Sequence, residues 1–498
     1  MVSSFLNVLS PMALLYVFIG VSVGIIAGAI PGLTGGMIIA LMLPMTFYMA
    51  SEYAIYLLVS AYVGVVSGGL ITATLLNIPG TPASLVTTFD GYPMARQGNA
   101  GRAIGLGVVA SFIGMIISWI VLVLLAPPLA RVALSFNHFD IFAMIVMALA
   151  FITSLSEGSF VRAMISGLLG MLLALPGLDP VSARLRLDFS LPQMGAGFPM
   201  LPILIGLFGI SQVVVDAIEI EQPVEKFRYE GTIFPSFREL MLQKRNLVRS
   251  SLIGTWIGIL PGIGASIASI VSYAVAKNSS RNPERFGKGI DDGIIASEAA
   301  NNASIGGALV PLITLGIPGS VVGVILLAAL ILHGVTPGPL LFQMHPSLAW
   351  GIITSMLVAS IVMFGLMIVG TRWIAQIIDI PKLYVIPSVV VFSVVGSFAI
   401  NNRMFDVWVM LGAGLLGFLM VKAKIPLGPF SIGFILAPLA EVSLRSGLMS
   451  TGGDILPMFA RPTSLGFLIV AFGTFIWPLM RVLRSRSIIN GISPPRED

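Results

Sequence analysis

The sequence contains no cysteine, and it has few charged residues. Its 498 residues include three histidines, and Asp, Glu, Lys and Arg together make up 10% of the chain. The absence of cysteine excludes disulfide bonds, thiol catalysis and iron–sulfur ligation. His138, His333 and His345 lie too far apart in the sequence to form a local metal motif. A soluble domain usually carries about 25% charged residues, so this composition argues against one.

The motifs of several common enzyme classes are also absent. The chain has no GxxxxGK[ST] motif, so ATP hydrolysis by this chain is not supported. It has neither HExxH nor GxSxG, which are the patterns of many metal-dependent and serine-dependent hydrolases. We therefore expect a protein that is not an enzyme and that carries no cofactor.

Apolar residues are abundant and make up 56% of the chain. A transmembrane helix needs about 20 predominantly apolar residues, and the sequence offers about 11–12 such spans plus two shorter hairpins. We therefore predict an all-α polytopic membrane protein. Basic cytoplasmic loops explain the net charge of +5, so we expect the lipid bilayer as a partner and no nucleic acid.

Two apolar segments are each interrupted by Pro-Gly and further small residues. They are residues 12–47, centred on Pro31 and Gly32, and residues 250–276, centred on Pro261 and Gly262. Proline removes a backbone donor and glycine tolerates unusual backbone angles, so each segment is predicted to form a helical hairpin. In a membrane, the freed backbone groups must be satisfied by protein, water or a bound solute.

Loop charge predicts the face from which each hairpin enters. Basic residues flank the second hairpin in segments 226–249 and 277–288, so both flanks are predicted to be cytoplasmic. The apolar stretch between them is too short for two crossings and is predicted to be re-entrant. The first hairpin has no Lys or Arg before or within it, which favours entry from the opposite face. Two full spans are the alternative there.

The hairpins belong to a longer internal repeat. Ser-Gly-Gly at 67–69 precedes Asn-Ile-Pro-Gly-Thr at 77–81, and Ile-Gly-Gly at 305–307 precedes Gly-Ile-Pro-Gly-Ser at 316–320. Each half is therefore predicted to combine a re-entrant hairpin with a broken helix. Hairpins from opposite faces make the two halves inverted-topology repeats.

The predicted organisation has four parts. They are a first repeat (1–221, with hairpin 12–47 and broken helix 54–89), a cytoplasmic amphipathic linker (222–249), a second repeat (250–462, with hairpin 250–276 and broken helix 293–332), and a last span with a basic cytoplasmic tail (463–498). The other predicted spans are Ala103–Leu125, Phe139–Ser154, Val161–Leu175, Phe198–Ala217, Leu348–Gly370, Leu383–Ile400, Val407–Val421, Leu427–Val442 and Ser464–Leu483. The N-terminus is then outside and the C-terminus cytoplasmic.

The four breaks define the predicted substrate site. In repeat-built transporters, paired breaks mark the binding site near the membrane centre, where helix N-termini suit a carboxylate. The candidates are Pro31, Gly32, Thr34, Gly35, Asn77, Pro79, Gly80, Thr81, Ser84, Pro261, Gly262, Gly264, Ser266, Pro318, Gly319 and Ser320. The alternative is that these breaks only permit kinks and tight packing, but four matched breaks favour the site.

A second polar group lies in the string SEAANNASIGG. Glu298 and Asn302 are four residues apart and share a helix face, with Asn301 beside them and Ser304 following. Amide and backbone oxygens suit Na⁺, whereas a buried carboxylate carries a proton. These four residues are the candidates for coupling to Na⁺ or H⁺, with a possible Na⁺ site among them. Interhelical hydrogen bonding by the asparagines is the alternative.

Other acidic residues are assigned structural roles. Asp90 and the pair Asp291-Asp292 lie near predicted helix ends, where we expect solvated caps. Glu441 and Arg445 have i,i+4 spacing and are expected to pair at the outer end of a helix.

Strings spread over almost the whole chain resemble the large membrane subunit of tripartite tricarboxylate transporters. They are AGAIPGLTGG, LLNIPGTPAS with FDGYPMARQG, GILPGIGA, SEAANNASIGGALVPLITLGIPGS, HGVTPGP, GLDPVSARLRLDFS with PMLPILIGLFGISQVV, LGPFSIGFILAPLAEVSLR, and GGDILPMFARP. The resemblance implies a secondary transporter of the bacterial inner membrane, driven by a Na⁺ or H⁺ gradient, with the N-terminus periplasmic.

The resemblance also implies partners and a motion. The partners are a small membrane subunit and a periplasmic solute-binding protein that delivers a small organic anion, a tri- or dicarboxylate. The motion is elevator-like, although inverted repeats fit a rocking mechanism as well. A passive channel or scaffold subunit without gradient coupling is the alternative from another functional class. The outer loop from Asp179 to Asp188 has no assigned role beyond docking.

Overall fold

The computed structural model describes residues 2–155, 159–218, 231, 233–262, 264–377 and 382–490. The first helices are α1 (Val2–Val8), α2 (Pro11–Gly28), α3 (Gly35–Met42), α4 (Ser51–Leu75), α5 (Thr88–Met94), α6 (Ala100–Ala133), α7 (His138–Leu155), α8 (Phe160–Leu173), α9 (Met200–Ile205), α10 (Ser211–Ile218) and α11 (Phe237–Leu242). They continue as α12 (Lys244–Ile259), α13 (Gly264–Asn278), α14 (Asp291–Leu315), α15 (Val321–Leu332), α16 (Leu341–Met344), α17 (Pro346–Ile377), α18 (Lys382–Asn401), α19 (Met404–Lys422), α20 (Leu427–Ser450), α21 (Leu456–Ala460) and α22 (Pro462–Asn490). Two short strands, β1 (Gly177–Leu178) and β2 (Leu185–Arg186), pair in antiparallel fashion.

Seven helical stretches of the described residues are long and apolar enough to cross a membrane. They are Pro11–Gly28, Ser51–Leu75, Thr88–Ala133, Met200–Ile218, Pro346–Ala375, Met404–Lys422 and Leu427–Ser450. The chain is therefore an all-α polytopic membrane protein, as predicted. The total of about 11–12 spans and the inversion of the repeats stay predictions.

The chain forms two compact units, and each draws on both halves of the sequence. The first consists of Met1–Leu134 and Phe198–Ala423, and the second of Ser135–Gly197 and Lys424–Asp498. Both predicted hairpins and both predicted broken helices lie in the first unit, whose core contains α4 and α14, buried along nearly their whole length. The predicted repeats are thus not compact bodies in themselves, and their bounds stay predictions.

Each predicted hairpin is a pair of helices joined by a tight turn. In the first, Gly32 lies in the turn between α2 and α3 with φ +94°. In the second, Gly262 (φ +78°) and Gly264 (φ +71°) lie where α12 gives way to α13. The segment Gly35–Thr46, like α12 and α13, covers about 18–24 Å at 1.5 Å per residue. These three arms are shorter than the ~30 Å hydrocarbon core, which favours a re-entrant second hairpin. The first arm of the first hairpin, α2, is long and apolar enough to cross a membrane, so two full spans stay the alternative there.

The two broken helices differ beyond their breaks. After α14, Gly316 takes the left-handed conformation, and the chain restarts as the 12-residue helix α15 behind Ser320. After α4, the chain forms only a short 3₁₀ turn at Pro82–Ser84 before α5. This differs from the helical half predicted up to residue 89. Pro82 lacks an N–H donor, and Ser84 Oγ exchanges hydrogen bonds with the backbone of Thr81, which closes the turn locally.

The predicted linker at 222–249 lies partly outside the described residues. Its described end lies against α6, where the Ile233 N–H donates to the Gly101 carbonyl at 3.0 Å. Further along, α12 already begins at Lys244, so residues 244–249 belong to the first arm of the second hairpin. The bounds of the linker stay a prediction.

Arg102 of α6 ties this segment to the start of α14. Its Nη2 donates to Glu239 at 2.8 Å and to Asp291 at 2.6 Å. The backbone N–H of Ser236 and the guanidinium of Arg102 lower the pKa of Glu239 to about 2. Asp291 is thus an ion-pair partner, which is more than the solvated cap predicted for it.

In the second compact unit, four charged residues form one network. The predicted pair is present, with Arg445 Nη1 at 3.0 Å from Glu441. Arg186 Nη2 lies 2.7 Å from Glu441, and Arg445 lies 2.6 Å from Asp179. The backbone N–H of Ser182 and the Arg445 guanidinium hold the pKa of Asp179 well below its usual range. These ion pairs tie the loop that contains β1 and β2 to α20.

Candidate functional site

The first arm of each hairpin packs against the broken helix of its own half. Gly28 of α2 lies against the carbonyl of Val65 in α4, and Gly258 of α12 lies against the carbonyl of Ser304 in α14. A β-carbon added at these glycines would lie 2.2 Å and 2.4 Å from the respective oxygens. Only glycine lets the helix backbones approach this closely, so each hairpin is held tightly by its neighbour.

The broken helices also supply glycines to the same helix pairs. Gly68 of α4 lies against the carbonyl of Ile25, and Gly307 of α14 lies against the carbonyl of Thr255. By these contacts, Gly68 in the first half is the equivalent of Gly307 in the second half. The sequence strings 67–69 and 305–307 had instead aligned Gly68 with Gly306, so the two alignments differ by one residue.

The breaks also contact the hairpins. A β-carbon at Gly80 would lie 2.1 Å from the carbonyl oxygen of Gly28, and one at Gly319 would lie 2.8 Å from that of Gly258. The Gly262 N–H donates to the Gly319 carbonyl at 3.0 Å. Gly80 and Gly319 therefore lie close to the hairpin backbone, as expected if these breaks permit tight packing.

The second arm of each hairpin crosses to the opposite half. A β-carbon at Gly36 of α3 would lie 2.8 Å from Val321 Cγ1, and one at Gly35 would lie 3.4 Å from Val322 Cγ2. In the same way, α13 packs against the 3₁₀ turn Pro82–Ser84. The four breaks thus form a closed ring of contacts, running from hairpin to break and on to the hairpin of the other half.

Two helix N-termini meet within this ring. Thr34 caps α3 by accepting from the Met37 N–H at 3.2 Å, and Ser320 caps α15 by accepting from the Gly323 N–H at 3.1 Å. Tyr62 of α4 places its hydroxyl 3.3 Å from Ser320 Oγ. The N-terminal ends of both helices carry positive dipole ends, so this region favours a negatively charged group.

The candidate residues divide by exposure. Those at least partly exposed are Pro31, Gly32, Thr34, Gly35, Asn77, Pro79, Gly262, Gly264, Ser266 and Ser320. Those buried are Gly80, Thr81, Ser84, Pro261, Pro318 and Gly319. Asn77 is exposed and has φ +58°, an uncommon conformation for a residue other than glycine. The first group forms the accessible part of the ring, and the second group forms its buried part.

Sequence reasoning missed an acidic residue at the tip of the first hairpin. A β-carbon at Gly32 would lie 2.9 Å from Oδ2 of Asp216, and Gln212 Nε2 donates to Asp216 Oδ1 at 3.0 Å. The anion-favouring part of the ring is the meeting of α3 and α15, where two helix N-termini lie together. An acidic residue at the end of an apolar stretch is the sequence signal that would have found Asp216.

Glu298 lies in a buried polar cluster beside the first break. Its side chain is fully buried, Thr87 Oγ1 donates to Oε1 at 2.5 Å, and Ser111 Oγ donates to Oε2 at 3.1 Å. The ion pairs of the described residues give Glu298 no lysine or arginine partner. A buried carboxylate without a cation is costly, so this position favours a proton or a metal cation.

Asn302 joins Glu298 to its neighbours. Its Nδ2 donates to Ser111 Oγ at 2.7 Å and to Glu298 Oε2 at 3.3 Å, and its Oδ1 accepts from Ser67 at 2.8 Å. Thr87, Ser111 and Ser67 come from three other segments and were not selected from the sequence. Single hydroxyl residues in apolar helices carry little signal until the fold brings them together.

The other two coupling candidates lie differently. Ser304 donates to the Asn301 carbonyl at 2.6 Å and adjoins Gly258, so it serves the helix and the hairpin contact. Asn301 is fully buried, and neither its Oδ1 nor its Nδ2 has a hydrogen-bond partner among the described residues. Thr81 Oγ1 is likewise buried without one. Buried polar groups are normally paired, so these two side chains depart from the usual pattern.

Asp90 departs from the expected solvated cap. Its side chain is fully buried, and Oδ1 accepts from the N–H groups of Gly287, Gly289 and Ile290 at 2.9–3.0 Å. Tyr273 of α13 donates its hydroxyl to Asp90 Oδ2 at 2.8 Å. The residue does cap the start of α14, but from the interior, because α5 brings it under the loop after α13.

Comparison with known proteins decides the family. The profile described as the tripartite tricarboxylate transporter TctA family matches residues 14–432. The chain belongs to this TctA family. The matched range contains the turns of both hairpins, both breaks and the Glu298 cluster.

Two relatives of this TctA-family chain come from Agrobacterium vitis. The "Uncharacterized 52.8 kDa protein in TAR-I ttuC' 3'region" is 34% identical over 487 residues, which cover 97% of this chain and 96% of the relative. The "Uncharacterized protein in TAR-II ttuC' 3'region" is 36% identical over 235 residues, which cover 47% of this chain and 96% of the relative.

Family membership fixes the general role. The chain is a multi-pass membrane subunit of a tricarboxylate transporter. The TctA family works within a tripartite system that has a small membrane subunit and a periplasmic binding partner. A transporter component also fits the prediction that the chain is not an enzyme.

Proposed function

We propose that this subunit performs cation-coupled uptake of small organic carboxylates across the bacterial inner membrane. The substrate is a di- or tricarboxylate such as citrate, delivered by a periplasmic solute-binding protein, and a small membrane subunit accompanies the chain. The observation that carries this proposal is the ring of four breaks in which the N-termini of α3 and α15 meet.

The substrate's carboxylates bind where these two helices begin. Thr34 and Ser320 offer hydroxyl groups there, Tyr62 lies beside Ser320, and Gly35 keeps the backbone accessible. Helix N-termini stabilise anions through free N–H groups and the helix dipole. No buried lysine or arginine is needed, so the site releases its substrate without leaving an unpaired charge in the membrane.

The coupling cation binds at Glu298. A proton on Glu298 or a Na⁺ beside it removes the cost of a buried negative charge. Thr87 belongs to the segment just after the first break and donates a hydrogen bond to Glu298. Binding of a cation at Glu298 therefore affects the position of that segment. This is a physical link between cation and substrate, because Thr87 joins the Glu298 cluster to the chain that follows the first break.

The ring moves as one body in an elevator-type mechanism. Its helices are joined by glycine contacts that admit no β-carbon, which opposes sliding within the ring. A binding site formed at such contacts moves across the membrane as a rigid body more readily than its helices separate. Rocking about the ring would require these same contacts to open.

Transport by the reconstituted complex tests this proposal against a passive channel or scaffold. Vesicles containing the full chain, the small membrane subunit and the binding protein are given a Na⁺ gradient, a pH gradient or neither. We expect accumulation of substrate above equilibrium with one of the gradients only. Flux that never exceeds equilibrium under any gradient would establish the passive alternative.

A further inference from the structure

A large groove lies between the two arms of the second hairpin, away from the ring of breaks. It has a volume of about 1180 Å³, larger than the ~300–1,000 Å³ of typical small-molecule pockets. Lys244, Arg245 and Arg249 line one part of it, while Trp256 and Val271 line another. The groove thus combines a cationic part with an apolar part.

The two parts follow one another along a single face of α12. Arg245, Arg249, Leu252 and Trp256 are spaced by four, three and four residues, so they form one stripe. At 1.5 Å per residue, the stripe extends about 16 Å from the first cation to the indole. Leu252 and Trp256 remain 38% and 61% exposed, so the apolar part of the stripe is open to the surroundings of the protein.

The cationic part carries net positive charge, with three basic side chains against the single carboxylate among its described lining residues, that of Asp292. The described residues show no ion pair for Lys244, Arg245 or Arg249, and Arg249 Nε is buried without a hydrogen-bond partner. Asp292, which also lines the groove, accepts from Gln243 Nε2 at 3.0 Å.

Helix electrostatics add to this charge imbalance. Lys244 and Arg245 lie in the first turn of α12, where the helix dipole disfavours cations, and Gln243 provides no side-chain cap. An anion at this end of the groove would satisfy both the side chains and the helix.

We propose that this groove binds one anionic phospholipid, with the phosphate at Lys244, Arg245 and Arg249 and an acyl chain along Leu252 and Trp256. A soluble anion would complement the cations and leave the apolar stripe uncovered, whereas a phospholipid covers both. The loops around the hairpin are predicted to be cytoplasmic, and anionic lipids of that leaflet attract basic residues near the membrane surface. This lipid site is separate from the carboxylate and cation sites proposed above.

Native mass spectrometry of the full chain in detergent tests the lipid site. The protein is titrated with phosphatidylglycerol, with phosphatidylcholine of the same acyl chains, and with glycerol phosphate as a soluble competitor. We expect phosphatidylglycerol to bind at least fivefold more tightly than phosphatidylcholine, and glycerol phosphate to displace it poorly. Equal binding of the two lipids, or efficient displacement by glycerol phosphate, would overturn the proposal.

Matched variants locate the site. Lys244→Gln/Arg245→Gln removes two charges from the groove, and Arg285→Gln/Lys288→Gln removes two exposed charges from the following loop, outside the groove. The first pair should weaken phosphatidylglycerol binding at least fivefold, and the second should leave it unchanged. If the groove pair instead loses the small membrane subunit on purification while lipid affinity stays the same, a protein helix occupies the groove.

Discussion

The backbone N–H of Gly262 donates a 3.0 Å hydrogen bond to the carbonyl oxygen of Gly319. This bond joins the tip of the second hairpin to the break in the second broken helix. Both residues lie at interruptions of helices, where backbone groups lose their own partners. A backbone group freed at one interruption is therefore hydrogen-bonded by a group freed at the other. A structural change at one interruption alters this bond and so affects the other.

Glu298→Gln should abolish concentrative uptake. Glutamine keeps the size of the side chain and one acceptor oxygen, so either Thr87 or Ser111 can still donate to it. It takes up no proton and attracts a cation weakly. We expect gradient-driven accumulation to fall on the order of tenfold or more, because the buried charge that couples cation to substrate is lost. Glu52→Gln, a carboxylate at the start of α4 that accepts from Ser347, is the control. Normal accumulation by Glu298→Gln would remove this residue from coupling.

Asn302→Ala should raise the Na⁺ concentration needed for half-maximal uptake more than it raises the substrate concentration. Asn302 positions Ser111 and Glu298, and a Na⁺ site loses affinity when its oxygens are no longer fixed. Asn278→Ala, at the exposed end of α13, serves as the control. Uptake by the parent protein that ignores Na⁺ and follows pH would reject Na⁺ and favour a proton on Glu298.

Thr34→Ala and Ser320→Ala should weaken substrate affinity. Each removes a hydroxyl from the meeting point of α3 and α15 and an N-cap of about 1 kcal/mol. Ser10→Ala removes a comparable N-cap from α2, outside the ring, and should change stability alone. The measurement is substrate concentration at half-maximal uptake beside thermal unfolding. Equal behaviour of all three variants would show that the two ring residues act only as caps.

Gly80→Ala and Gly319→Ala should destabilise the first compact unit. The added β-carbons would meet the carbonyls of Gly28 and Gly258, and such overpacking typically costs about 1–3 kcal/mol. Gly412→Ala, in α19 with open space beside it, should instead be neutral or stabilising by up to about 1 kcal/mol. Thermal unfolding in detergent compares the three. Unchanged stability with lost uptake at Gly80 or Gly319 would indicate contact with the solute.

Cysteine labelling should place both flanks of the second hairpin on one face. The chain has no cysteine, so Arg238→Cys and Ser279→Cys, both exposed, each give a single reactive thiol. In intact cells, both should resist a membrane-impermeant thiol reagent, while Ser182→Cys, in the predicted outer loop, should react. Both sites should react once the membrane is permeabilised. Labelling of only one flank in intact cells would rule out the re-entrant hairpin and the inverted repeat.

The sequence alone determined the class of the protein and the position of its breaks. Apolar length and sparse charge suffice for an all-α membrane protein, because each span must satisfy its backbone within itself. Proline and glycine act on the chain locally, so the turns at Gly32 and Gly262 lie where the sequence predicted them. The acidic and amide residues at 298–302 were also visible, because charge and amide groups are rare in apolar helices.

Only the tertiary structure decided which of these residues meet. The ring joins segments more than 200 positions apart, such as Gly35 with Val322, and no local pattern encodes such pairing. Thr87, Ser111 and Ser67 became partners of the Glu298–Asn302 pair because helix packing brings their hydroxyls together. Asp90 was expected in solvent and is buried, since its surroundings depend on the loop after α13 and not on its own neighbours in sequence. Local chemistry sets where a membrane helix breaks, and long-range packing sets what each break faces.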